Sequence, residues 1–332
     1  MEYTHSKELE TAVLSGVAPS MRYDGSESIE AWQEKSRAKL RELLGEYENC
    51  ADEMKIEYDR TEEDYREIRF LHQTEPGYFV PCHLLVPKKT PYEKPPLMIC
   101  LQGHSTGMHI SLGRPKFDGD AENISHGDRD FAVQCIARGV CAVTVEQRCF
   151  GERGGKPRPD CHAASMTALL SGRTVIGGRV HDISRTVDVC LKYFAEYFDE
   201  KEIWCGGNSG GGTATFYAAA LDKRITRAMP SCALCTFAGS IGSLNHCECN
   251  YVPGIAKYFD MAELGGLIAP RRLVAVSGLT DGIFPIDGAK HEFDIIKNVY
   301  YNAFGKENEA VHVIGPEGHR FYAALAWDKI LK

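Results

Sequence analysis

Gly206-Gly207-Asn208-Ser209-Gly210-Gly211-Gly212 stands between an apolar run, Glu202-Ile203-Trp204-Cys205, and a small-residue stretch, Thr213-Ala214-Thr215-Phe216-Tyr217-Ala218-Ala219-Ala220. The order reads as strand, tight turn, helix. Residues Gly207 to Gly211 fit G-x-S-x-G, a spacing that gains meaning in this context. Glycines two before and two after the serine leave room for neighbouring backbone. The serine oxygen then stands exposed at the end of the strand. The following amide opens a helix, where partial positive charge can stabilise an oxyanion. A phosphate-binding turn is the competing reading. It is weak, because no Lys-Ser/Thr follows and the spacing misses G-x-G-x-x-G.

A serine alcohol needs an adjacent base, and the base needs an orienting acid. Downstream, Arg272-Leu273-Val274-Ala275-Val276-Ser277 reads as a strand running into Gly278-Leu279-Thr280-Asp281-Gly282. Val311-His312-Val313-Ile314 runs into Gly315-Pro316-Glu317-Gly318-His319 in the same way. Asp281 and His319 thus fall just past strand ends, where catalytic groups gather in open parallel sheets. Ser209, Asp281, His319 is the order nucleophile, acid, base.

The surrounding chain is α/β in pattern. Met54–Arg60, Tyr65–Gln73 and Tyr78–Val86 read as strands, the last two joined as a hairpin through Glu75-Pro76-Gly77. From Leu97 onward, short apolar runs alternate with helical stretches, which implies a mostly parallel central sheet with helices on both faces. The strongest helical pattern runs from Val180 to Phe198, with Asp182 as a cap or first-turn acid and Gly172–Gly178 as a turn before it. Residues 1–50 read as a helical extension on the core, with an amphipathic helix from about Ser26 to Glu46. Residues 51–332 read as one domain with long loops at 148–178 and 232–270, the expected walls of a pocket.

Composition bounds the partners. The 332 residues carry 38 Lys and Arg against 46 Asp and Glu, a net charge of -8. A mildly acidic chain without a basic block argues against nucleic acid and anionic membrane surfaces. No apolar run approaches the roughly 18 residues of a membrane span. The first residues lack the basic and apolar regions of a signal peptide, which makes cytoplasmic the expected location. Thirteen cysteines, an odd number, cannot all pair; those in apolar runs, such as Cys100 and Cys205, read as small buried hydrophobes.

The chain resembles α/β-hydrolases of the acetyl xylan esterase and dienelactone hydrolase-like group from about Met54 onward. The resemblance rests on Gly207–Gly211, Leu279-Thr280-Asp281-Gly282-Ile283-Phe284-Pro285 and Gly318-His319-Arg320-Phe321. Gln147-Arg148-Cys149-Phe150-Gly151-Glu152-Arg153 and Leu267-Ile268-Ala269-Pro270-Arg271 add to it. It implies the α/β-hydrolase fold, with Ser209 as nucleophile, His319 as base and Asp281 as its acid. The implied activity is ester hydrolysis without metal or organic cofactor, on a small-molecule or carbohydrate ester such as an acetylated sugar. The oxyanion donors would be the amides of Gly210 and, from Leu101-Gln102-Gly103-His104-Ser105, of His104. Relatives usually read His-Gly where this chain has Gln102-Gly103. A prolyl-oligopeptidase-like peptidase shares the fold and order, but the residues before the core strand are too few for its gating domain. A non-catalytic binding protein of this fold would typically lose a triad member.

Other features are weaker. Arg148 and Asn208 are candidate substrate contacts, with an ion-pair network as the plainer role for Arg148. Cys232, Cys235, Cys247 and Cys249 offer only one C-x₂-C pair, and Cys247 and Cys249 are close for a zinc knuckle, so buried or loop thiols are expected rather than a metal site. Pairing with a second copy of the chain is left open.

Overall fold

A computed structural model describes residues 4–154 and 158–332. Residues 1–3 of the expected extension and 155–157 of the expected 148–178 loop lie outside the described residues. Nine strands form one sheet: β1 (Met54–Thr61), β2 (Tyr65–Glu75), β3 (Tyr78–Pro87), β4 (Leu97–Leu101), β5 (Cys141–Val145), β6 (Ile203–Asn208), β7 (Ile225–Ser231), β8 (Arg272–Gly278) and β9 (Ala310–Gly315). Their order is β1-β2-β3-β5-β4-β6-β7-β8-β9. The first three strands and the β3–β5 pair are antiparallel, and the rest of the sheet is parallel. This is the expected α/β architecture, with β1 added to the antiparallel hairpin.

The parallel strands are apolar on both sides because both faces are covered. In β4, Leu97, Ile99 and Leu101 enter one core, whereas Met98 and Cys100 enter the other. Alternation every two residues places them so. The Ile29–Leu44, Val175–Tyr193, Gly210–Leu221 and Met261–Ile268 helices pack on the first face. The Phe131–Ile136 and Ala323–Ile330 helices cover the second. The Ile29–Leu44 helix is tied in by Trp32, which stacks on Tyr300 at 4.8 Å and donates its indole N–H to the Met21 carbonyl. Burying such a ring contributes on the order of 2–3 kcal/mol.

Two local expectations change. The long helix begins at Val175, not near Val180, because the Thr174 hydroxyl caps it by accepting from the Gly177 amide at 3.0 Å. Gly177 and Gly178 are therefore helical. A Cβ on Gly178 would lie 2.7 Å from Arg148 Nε, so this turn stays narrow to let the guanidinium pass. Asp182 consequently sits inside the helix rather than at its start, and it is 1% exposed. The two expected long loops also carry structure of their own, including the His162–Leu170 and Met261–Ile268 helices. Among the described residues, no helix is long and apolar enough to cross a membrane.

Candidate active site

β4 lies between β5 and β6, so successive connections leave in opposite directions at this point. The loops after β4 and β6 open the crevice where open α/β sheets bind ligands. Ser209 follows β6 with φ 57° and ψ −122°, a left-handed conformation costly to a residue with a side chain. Close packing enforces it. A Cβ on either Gly207 or Gly211 would stand 2.2 Å from the Leu101 carbonyl oxygen, so backbone fills the space beside both glycines. The Ser209 amide donates to the Ser231 carbonyl at 2.8 Å, which fastens the turn to β7. Gly210 starts the buried Gly210–Leu221 helix, and its amide points out of the first turn.

Asp281 and His319 meet beyond β8 and β9. His319 Nδ1 lies 2.8 Å from Asp281 Oδ2. Asp281 Oδ1 accepts from the amides of Ile283 and Phe284 at 2.8 and 3.0 Å. Burial pushes the Asp281 carboxyl upward, but the His319 hydrogen bond and charge and the two amides outweigh it and hold the group below its usual range. The Phe284 ring lies nearly parallel to His319, 6.1 Å away. Cys232, the residue after Ser231, brings its sulfur within 4.8 Å of both members of the pair. Burial, then the Asp281 charge, pushes that thiol up to about 12, which favours the protonated form of Cys232. Strand pairing thus carries the thread from Ser209 through Ser231 and Cys232 to Asp281 and His319.

The loop after β4 is held from below. Glu146, at the end of β5, accepts from Gln102 Nε2 at 3.0 Å and from the Met108 amide at 3.1 Å. Gln147 donates to the Gln102 carbonyl. Glu146 is 1% exposed, and burial pushes its carboxyl up to about 7 against the pull of the Met108 and Glu152 amides. The His104 ring packs against Gly210, with Nδ1 2.8 Å from where a Cβ would project. Sequence reasoning missed Glu146 and gave Gln147 no role of its own. Their signal was polar residues directly after an apolar strand. The His246 ring meets Phe284 edge-on at 5.2 Å.

Two expected substrate contacts are placed elsewhere. Arg148 forms a two-pronged pair with Asp182 at 2.8 and 2.9 Å and meets Glu75 at 2.7 Å. Its guanidinium is committed to these carboxylates beneath the loop. Arg153 joins the same Asp182 at 2.7 Å. Asn208 is 0% exposed and turns into the sheet, where its Oδ1 accepts from Ser231 Oγ at 2.8 Å. The alternation of β6 explains this, since neighbouring residues face opposite ways. The four flagged cysteines also separate. Cys232 lies by the Asp281–His319 pair and Cys235 packs under Pro285. Cys247 and Cys249 instead join Cys161 and His104. A cavity of about 990 Å³, lined by Tyr47, His181 and Arg224 among others, is remote from this chemistry.

No family model matches the chain. A Bacillus subtilis (strain 168) protein named "Putative hydrolase YtaP" is 28% identical over 222 residues, covering 65% of this chain and 69% of that one. Solved structures are similar over nearly the whole chain. One, from Bacteroides fragilis NCTC 9343, is described as a "putative acetyl xylan esterase (BF1801)". It has a TM-score of 0.77 at 15% identity and covers 98% of this chain and 84% of its own. The structure named Methylesterase BT1017 has a TM-score of 0.67 at 21% identity, covering 98% and 69%. A glucuronoyl esterase from Solibacter usitatus has a TM-score of 0.69 at 15% identity, covering 92% and 94%. The sheet order, the turn at Ser209 and these likenesses agree: the chain has the α/β-hydrolase fold.

Proposed function

We propose that the protein is a serine hydrolase of carboxylic esters. Ser209 attacks the acyl carbon while His319 Nε2 takes the hydroxyl proton, and Asp281 orients the ring and stabilises the imidazolium. The oxyanion is held by the amides of Gly210 and His104 at the helix N-terminus and the loop after β4. His319 returns the proton to the leaving alcohol, an acyl-enzyme forms, and water activated by the same ring releases the acid.

The reading rests on one observation above all. A strained serine turn after β6, and a buried carboxylate paired with a half-buried histidine after β8 and β9, lie at the C-terminal strand ends of one sheet. The similar structures named as an acetyl xylan esterase and a glucuronoyl esterase favour a carbohydrate ester as substrate.

A fluorophosphonate probe tests the nucleophile. The wild-type protein should label, and Ser209→Ala should not; equal labelling of both would remove Ser209 from the role. Acetylated sugars, uronic-acid methyl esters, short acyl esters and prolyl peptides, assayed side by side, then separate the substrate classes. Turnover of peptides without any ester would overturn the reading.

A further inference from the structure

We infer that His104, Cys161, Cys247 and Cys249 form a Cys₃His site for a zinc-class divalent cation, which ties two loops to the loop after β4. The sulfur atoms and one imidazole nitrogen all lie within 4.8 Å of one another. His104 Nε2 is 3.2 Å from Cys249 Sγ. In a tetrahedral zinc site with Zn–S of about 2.3 Å and Zn–N of about 2.0 Å, ligand atoms sit roughly 3.5–3.8 Å apart. Small side-chain adjustments from the observed positions reach that spacing.

The donor set suits zinc, since three thiolates and an imidazole are a recurrent structural combination for it. The charge also balances. A divalent ion with three thiolates carries one net negative charge. The Arg179 guanidinium, 1% exposed, donates to Cys249 Sγ at 3.2 Å and to Cys161 Sγ at 3.5 Å. It supplies the opposite charge and the sulfur-directed hydrogen bonds that tune such centres. The same guanidinium lies 4.3 Å over the Phe150 ring and bonds the Arg148 carbonyl, so its position is fixed from two sides.

Binding displaces the thiol protons, up to three per ion, and uses the lone pair of neutral Nε2. The His104 proton then resides on Nδ1, the atom packed against Gly210. The ion would therefore set the tautomer of a ring beside the serine turn and brace the loops that carry Cys161 and Cys247–Cys249. Cys149 is adjacent to Cys161 but outside the four-atom group.

The test reads metal content, so it is independent of whether the protein hydrolyses esters. The full chain, purified without chelator, should contain about one zinc per molecule by mass spectrometry of the metal. After chelation, added Co²⁺ should give thiolate-to-cobalt charge-transfer bands and the intense visible bands of a tetrahedral site. Added Zn²⁺ should abolish these bands and release protons. Cys161→Ser and Cys247→Ser should lose the stoichiometric metal, while Cys149→Ser and Cys232→Ser keep it. Circular dichroism checks that each variant folds, and the cobalt spectrum of the wild-type chain stands even where a variant does not. Failure of the wild-type chain to bind Zn²⁺ or Co²⁺, a disulfide among Cys161, Cys247 and Cys249, or a cobalt spectrum without thiolate bands would overturn the site.

Discussion

His319 Nδ1 lies 2.8 Å from Asp281 Oδ2, and this bond determines which ring nitrogen keeps its lone pair. The Asp281 carboxylate is held ionised and can only accept. Nδ1 therefore carries the hydrogen, and Nε2 keeps its lone pair.

Replacing the acid by its amide should reverse that choice. In Asp281→Asn the side-chain NH₂ can donate to Nδ1 and stabilise the wrong tautomer. We expect kcat on a short acyl ester to fall on the order of 10⁴-fold, with KM little changed. Steady-state kinetics with circular dichroism as a folding control measure this. Activity within tenfold of wild type would exclude the role given to Asp281.

Gly211→Ala tests the strained turn. The new methyl would meet the Leu101 carbonyl oxygen at 2.2 Å and the Gln102 carbonyl oxygen at 2.6 Å. Neither atom is the end of a flexible side chain, so backbone must move. We expect a stability loss of about 1–3 kcal/mol or more, together with loss of fluorophosphonate labelling. Denaturant titration and labelling of the same sample separate the two effects.

Asp182 anchors the loop after β5 through Arg148 and Arg153. Burial alone would raise its carboxyl, but the two guanidiniums outweigh burial and hold it well below the usual range. Its stabilising contribution is present above the unfolded carboxylate value and is lost as pH falls toward the folded one. Asp182→Asn leaves two buried cations short of a partner and should cost about 3–5 kcal/mol near neutral pH. Urea unfolding at several pH values should show the difference from wild type shrinking in acid. A pH-independent difference under 1 kcal/mol would contradict this.

Glu146 has the opposite sign. Its folded value, raised to about 7 from 4.5, means that the neutral form is favoured in the folded chain. That stability is complete below about 4.5 and is lost as pH rises through about 7, a change of about 3 kcal/mol. The stability of wild type minus that of Glu146→Gln should therefore fall by about this much across the window, because glutamine does not titrate. Parallel unfolding curves at pH 4.5 and 8 decide it, and a flat difference would show that folding does not raise the Glu146 value.

Much of the framework was legible because it is written in contiguous residues. The run Leu97–Leu101 is apolar at every position, and the structure places it as β4 with both faces covered. The glycines around Ser209 announce a turn too tight for side chains, and the observed backbone angles require it. The start of the long helix was misplaced because Gly177 and Gly178 look like turn residues. Their small size serves packing against Leu44 and Arg148 instead.

Side-chain commitments were less legible. Arg148 could be read as a substrate contact or as part of an ion-pair network, and the helix bearing Asp182 decides for the network. Asn208 adjoins Ser209 in the chain, yet the alternation of a strand turns it inward to Ser231. Periodicity and turn chemistry act over a few neighbouring residues, so the positions of the strands along the chain and the identity of Ser209, Asp281 and His319 as a candidate set could be read from the chain alone. The meeting of His104 with Cys249, 145 positions apart, could not. No local spacing encodes it, because it follows from the path of three loops over one end of the sheet, and that path exists only when both cores have closed.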